Sequence, residues 1–204
     1  MKISILADDT SFHHLSQSNE SVAWNRISQF EEFSIDNDSD AIINLQENAS
    51  NFNYNHFQKA VFINSVIDTL KDKHHNSMVV RINGWNGFLE KDVWEMAGTL
   101  HETHKEVLRV LDKKYHLVAD EPGFVAPRVL AMIINEAYFA KSESISTEAE
   151  IDTALKLGTN YPKGPFEWCN EIGKKKIFNL LEKLHMQDKR YTPSSQLIAE
   201  AKAS

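Results

Sequence analysis

Residues 120–137, DEPGFVAPRVLAMIINEA, constrain the chain more than any other stretch. His116-Leu117-Val118-Ala119 is an apolar run with a polar lead, and it reads as the end of a strand over 116–119. Pro122-Gly123 breaks it. Pro127 then suits the first turn of a helix, where its missing N–H is no loss and its φ is already set. Val129, Ile133 and Ala137 fall on one helical stripe, and Leu130, Met132 and Ile134 widen it. A helix apolar on so many sides is buried or shared with a second subunit. An α/β region therefore ends here and a helical region begins.

The part before this break alternates short apolar runs with polar segments. Strands are expected at Lys2–Ala7, Ala41–Leu45, Val61–Ile63, Met78–Ile82 and Val93–Ala97. A helix is expected from near Ser11, a short one over Phe52–Ala60, and an amphipathic one over Thr99–Lys113 with Leu100, Val107, Leu108 and Leu111 inward. Residues 16–40 are polar, with Trp24, Ile27, Phe30 and Phe33 spaced at three, and fit a short helix or a helix–strand pair equally; Asp36–Asp40 reads as a loop. After Ala140 everything reads as helix. Thr147 with Glu150 makes a capping box, Gly158 and Gly173 are expected C-terminal caps, and Pro193 opens the last helix.

Composition narrows the function classes. A chain of 204 residues with 42% hydrophobic and 25% charged residues is an ordinary globular protein. Its net charge of −7 gives no basic patch for nucleic acid. No apolar run approaches a membrane span, and MKISILADD reads as a strand rather than a signal peptide. The single cysteine, Cys169, excludes an internal disulfide and fits a reducing cytoplasm.

DEPGFVAPRVLAMIINEA resembles the DTPGFVxNRxLxxxxNEA segment of 3-hydroxyacyl-CoA dehydrogenases. EAEIDTALKLG at 148–158 is similar to that family's xEDIDxAMKLG, and GTNYPKGPFEWCNEIG at 158–173 to its GxxYPMGPFELxDxxG. The resemblance implies a reduced Rossmann-like α/β domain over 1–119 and an all-α domain over 120–204. It also implies a homodimer through 121–204, an acyl-CoA ligand and NAD as cofactor. Replacing Ile133 or Met132 by a charge is expected to break that dimer, with Lys141 as a neutral control.

The family's functional positions are largely replaced. Its GxGxxG turn between first strand and helix falls on Ala7, Asp9 and Phe12, and Asp9 reads as a helix cap. RINGWNGFLEKDVWEM at 81–96 resembles GLHFFNPVPxMKLVEV, which puts the catalytic histidine on Asn83, its orienting glutamate on Glu95 and the motif's asparagine on Asn86. An amide has no titrating proton near neutral pH and cannot act as a base. The catalytic serine falls on Val66, beside Ser65, and the asparagine of the VNR motif on Pro127. Only Glu95 is retained, so the expected protein is a catalytically degenerate relative without a bound cofactor. A working NAD-dependent 3-hydroxyacyl-CoA or 3-hydroxybutyryl-CoA dehydrogenase and a structural or regulatory partner of a full-length dehydrogenase are the alternatives. The family's acyl-CoA-binding helical extension and its glycine-rich tail have no counterpart.

Other chemistry-bearing residues read as bland. His101 and His104 in HETH are three apart, not four as in HExxH, and read as exposed helix polarity rather than a zinc site. His13-His14 and His74-His75 are placed in solvated turns. Trp85, Trp94 and Trp168 read as core, and Cys169 as a buried thiol.

Overall fold

The computed structural model describes residues 1–17, 19, 21–35 and 38–203, in two compact units, Met1–Phe124 and Val125–Ser204. The first unit is built on a seven-stranded sheet among the described residues, in the order β2-β1-β3-β4-β5-β6-β7. The strands are β1 (Lys2–Leu6), β2 (Ala23–Arg26), β3 (Ala41–Asn44), β4 (Ala60–Asn64), β5 (Val79–Ile82), β6 (Val93–Gly98) and β7 (Lys114–Leu117). Pairing is parallel throughout except between β5 and β6. β1, β3, β4 and β5 are near-continuous apolar runs because both faces of the sheet are covered. Ile3, Ile5, Phe62 and Ile82 face one core with Leu108 and Trp94. Leu6, Ile42, Val61 and Ile63 face the other, with Phe33, Tyr54 and Phe57.

Helix covers this sheet sparingly. α1 (Asp9–Gln17) joins β1 to β2, α2 (Glu32–Ile35) follows β2, and α3 (Glu102–Val110) joins β6 to β7. The β3–β4 connection holds a 3-10 turn, Ala49–Asn51, and the expected helix over Phe52–Ala60 is absent. There Asn53 Oδ1 accepts from Asn55 N at 2.9 Å and Tyr54 O from Phe57 N at 3.0 Å. Asparagine side chains offer the backbone a turn that competes with helix.

Several other boundaries differ from expectation. Residues 16–40 hold one strand and one short helix, the pair that was one of the two arrangements expected there, with the strand first; Ser18, Glu20, Asp36 and Asn37 lie outside the described residues. The last strand is Lys114–Leu117, two residues earlier than expected: its ladder to β6 opens with Lys114 N donating to Asp92 O at 2.9 Å and closes with Val118 N donating to Met96 O at 2.9 Å. α3 begins three residues late: His101 is extended (φ −84°, ψ 166°) and caps it, leaving Leu100 outside the helix though packed on the core. His104 is not exposed but fully buried, its Nε2 2.9 Å from Met78 O and its Nδ1 accepting from His101 N at 3.1 Å. The α1 cap is Asp8 rather than Asp9. His13 and His14 lie on α1, and His75 is half-buried against Ser50 O at 3.1 Å.

The second unit is all helix: α4 (Ala126–Ser142), α5 (Glu148–Thr159), α6 (Pro165–Ile172), α7 (Lys174–His185) and α8 (Ser195–Ala203), with a 3-10 turn at Lys189–Tyr191. α4 packs against all four others. The Thr147–Glu150 box forms as read. α5 runs one residue past Gly158 and closes on Asn160, which takes the left-handed conformation (φ 55°). Asparagine tolerates that region because its short side chain bonds locally. Gly173 closes α6 at φ 106°. Ser194, not Pro193, caps α8 through Leu197 N.

The helical motifs have a structural cause. Asn135 on α4 donates to Thr192 O at 2.9 Å and accepts from Ser194 N at 2.8 Å, so it ties α4 to the turn before α8. Asp152 on α5 accepts from Phe166 N at 2.8 Å and Glu167 N at 3.2 Å, satisfying two orphan amides of α6. A Cβ on Gly164 would stand 2.3 Å from the Asp152 carboxylate.

Candidate active site

β4, β5 and β6 bring the site positions of the first unit together. Asn83 follows β5 and is buried, at 2% exposure. Its backbone N donates to Glu95 O at 3.1 Å, which continues the antiparallel β5–β6 ladder past its last full pair. Its side-chain Nδ2 donates to Glu95 Oε2 at 3.2 Å, and its Oδ1 accepts from Trp85 N at 3.4 Å. The amide is thereby engaged at both ends. The next residue, Gly84, passes over Asn64, donating to its Oδ1 at 3.2 Å. A Cβ there would meet Asn64 at 2.8 Å, so only glycine lets β4 and this turn approach so closely.

Val66 is buried, and its carbonyl accepts from Gly123 N at 2.7 Å. Ser65 Oγ donates to Asp68 O at 2.8 Å, which commits the neighbouring hydroxyl to its own turn. Beneath them Arg81 is fully buried. Its guanidinium meets Asp120 at 2.8 Å, donates to the carbonyls of Ser65, Asp68 and Glu121, and lies 4.5 Å from the Phe124 ring. Asn86 is exposed on the turn after β5. Pro127 sits in the first turn of α4, in the second unit.

One residue of this site was missed in the sequence. His116 on β7 is the register partner of Glu95 on β6. Register partners on neighbouring strands project from the same sheet face, so an exposed imidazole stands beside the retained carboxylate. Its only signal was the strand frame, which the sequence placed two residues late.

A second concavity opens where β1 lies between β2 and β3, the point at which strand order reverses. It has a volume of about 660 Å³ and is lined by Leu6, Ala7, Asp8, Arg26, Leu45 and Glu47, among others. Such reversal points are where open α/β sheets bind ligands. Asp8 Oδ1 accepts from Ser11 N at 2.8 Å and its Oδ2 from Ser11 Oγ at 3.3 Å. Arg26 pairs with Asp9 at 2.5 Å and donates to Ala7 O at 3.2 Å.

The remaining candidates are structural. Trp85, Trp94 and Trp168 are all buried. Cys169 is fully buried; burial pushes its thiol up to about 11, too high for a nucleophile near neutral pH. Among the described residues no group of three metal-ligating side chains converges, and no helix is long and apolar enough to cross a membrane.

Comparison with known proteins follows the same division. The family described as 3-hydroxyacyl-CoA dehydrogenase, C-terminal domain, matches residues 123–202. The 3-hydroxyadipyl-CoA dehydrogenase of Escherichia coli K12 is 46% identical over 82 residues, covering 39% of this chain and 17% of that protein. The 3-hydroxybutyryl-CoA dehydrogenase of Bradyrhizobium diazoefficiens is 33% identical over 104 residues, covering 50% of this chain and 36% of that protein. The matches thus span about a sixth of the first relative's length and little more than a third of the second's. The structure of (S)-3-hydroxybutyryl-CoA dehydrogenase from Ralstonia eutropha superimposes with a TM-score of 0.71 at 17% identity, over 99% of this chain and 93% of that one. That likeness shows the shared fold, α/β followed by helical. By its motifs and its match to the family's C-terminal domain, the stretch 123–202 belongs to the 3-hydroxyacyl-CoA dehydrogenase family, and the whole chain shares the fold of such a dehydrogenase.

Proposed function

We propose that this chain is a 3-hydroxyacyl-CoA dehydrogenase-like protein that has lost the hydride-transfer reaction and persists as a dimeric module of acyl-CoA metabolism. The observation that carries this reading is the Asn83–Glu95 hydrogen bond at 3.2 Å. Oxidising a 3-hydroxyacyl thioester requires a base for the hydroxyl proton while hydride leaves to NAD. Where the resemblance calls for an imidazole, an amide donates to the glutamate instead, and an amide neither accepts nor releases that proton. Val66 offers no hydroxyl, and the hydroxyl of Ser65 is spent on Asp68 O. Nothing glycine-rich makes room for a dinucleotide after β1. The acyl-CoA part of the reading rests on the relatives' printed substrates.

The dimer is supported by α4. Val125 at its N-cap and Val129 in its first turns are each 51% exposed, and Met132 and Ile133 are half-buried along the same side. Such a stripe on so small a helical unit fits a two-fold interface.

A second reading, a working dehydrogenase, is favoured by one observation, the Glu95–His116 register. There the imidazole needed as base comes from β7. Titration with acetoacetyl-CoA beside an NADH-oxidation assay separates the two. The proposed function expects heat of binding without oxidation. Oxidation that His116→Ala abolishes would replace it with the second reading.

A further inference from the structure

We infer that Asp8 sets the ligand specificity of the cleft between β1 and β3, by filling with its own carboxylate the place a diphosphate would take. Dinucleotide-binding sheets lay the diphosphate on the first amides of the helix after β1, where N–H groups and the helix dipole favour an anion. Here the helix is α1, and an anion of the chain is already there. Asp8 Oδ1 accepts from Ser11 N at 2.8 Å, and Ser11 Oγ donates to Oδ2 at 3.3 Å. The amide that would meet a phosphate oxygen is occupied.

The nearest cation is also spent. Arg26 ends β2, where dinucleotide sites place the group that meets the adenosine ribose. Its guanidinium pairs with Asp9 at 2.5 Å, donates to Ala7 O at 3.2 Å and lies 4.8 Å from the Phe12 ring. Ala7, Asp9 and Phe12 put side chains at all three positions where the fingerprint has glycine. Glu47 lines the same cleft from the β3 side. An incoming diphosphate must displace Asp8 from Ser11 and meet Asp8, Asp9 and Glu47 with Arg26 as the one nearby cation among the lining residues. The cleft therefore rejects nicotinamide dinucleotides and other diphosphates, while its size is adequate for an uncharged small molecule.

This concerns binding alone and stands apart from the catalytic reading: a chain that binds NADH without oxidising it overturns the inference and leaves that reading intact. The experiment titrates wild type, Asp8→Gly and Asp8→Asn with NADH by fluorescence and with inorganic pyrophosphate by calorimetry, checking thermal midpoints alongside. Asp8→Gly frees the amide and removes the charge; Asp8→Asn keeps a capping oxygen and removes only the charge. Wild type is expected to show no saturation below millimolar concentrations. Asp8→Gly is expected to bind both probes roughly tenfold or more tightly than wild type, with Asp8→Asn between them. Micromolar NADH binding by wild type overturns the inference. So does a folded Asp8→Gly that binds no better than wild type. Should Asp8→Gly not fold, Asp8→Asn decides: affinity equal to wild type overturns it.

Discussion

Asp152 on α5 and Gly164 before α6 are fitted to each other. The carboxylate accepts from Phe166 N at 2.8 Å and Glu167 N at 3.2 Å, and it can do so because Gly164 has no side chain to hold it away. Asp152→Ala takes this acceptor from one buried and one part-buried amide and is expected to cost about 1–2 kcal/mol. Gly164→Ala sets a methyl against the carboxylate and is expected to cost about 1–3 kcal/mol. Denaturant unfolding measures both. Because each change breaks the same contact, the double variant should lose clearly less than the two single losses added.

His104 predicts loss of stability on mild acidification. Burial lowers its pKa below the usual 6.5, and His101 adds to this against the Met78 carbonyl. Its Nδ1 accepts from His101 N, so the ring is neutral with the proton on Nε2. The unfolded chain binds a proton near 6.5 that the folded chain refuses, so stability falls as pH drops below 6.5. His104→Gln should flatten that part of the profile, measured by thermal unfolding between neutral pH and mild acid, even if it lowers stability throughout.

Glu200 carries a second, more acidic window. Burial opposes its ionisation, but hydrogen bonds from Lys174, Lys141 and Tyr138 outweigh it and hold the carboxyl down at about 2, from an ordinary 4.5. Its contribution is complete above 4.5 and is lost as pH falls towards 2. Glu200→Gln should remove the dependence between those values in acid unfolding. The same network corrects an expectation: Lys141 is no neutral control, since it pairs with Glu148 at 2.5 Å and Glu200 at 3.0 Å.

Self-association through α4 is tested by sedimentation. Ile133→Glu is expected to convert a dimer to monomer or insoluble protein, because each such apolar side chain buried contributes about 1.5–3 kcal/mol. Lys175→Glu, on the exposed side of α7, should leave the dimer unchanged. A wild type that sediments at 23 kDa at micromolar concentration contradicts the dimer.

Legibility in the sequence followed range. The Thr147–Glu150 box, the Gly173 cap and the apolar strands were readable because their causes lie within a few residues. Asp8 was passed over for Asp9 because both acids suit a helix start, and only Arg26, arriving from β2, separates their roles. His104 looked like surface polarity until β5 supplied Met78 O. Gly158 seemed the natural stop for α5, yet space around it is open and Asn160 closes the turn instead. In the site, the Asn83–Glu95 pairing followed from motif spacing. His116 did not, because its place beside Glu95 depends on strand register.

The central claim, that Asn83 in place of an imidazole leaves no dehydrogenase, meets its most direct test in NADH oxidation by the purified chain with saturating acetoacetyl-CoA. Loss of a general base alone costs about 10² to 10⁴ in rate. The account predicts no absorbance change above the enzyme-free blank. Turnover of roughly 1 to 10³ s⁻¹, ordinary for an enzyme, would contradict it.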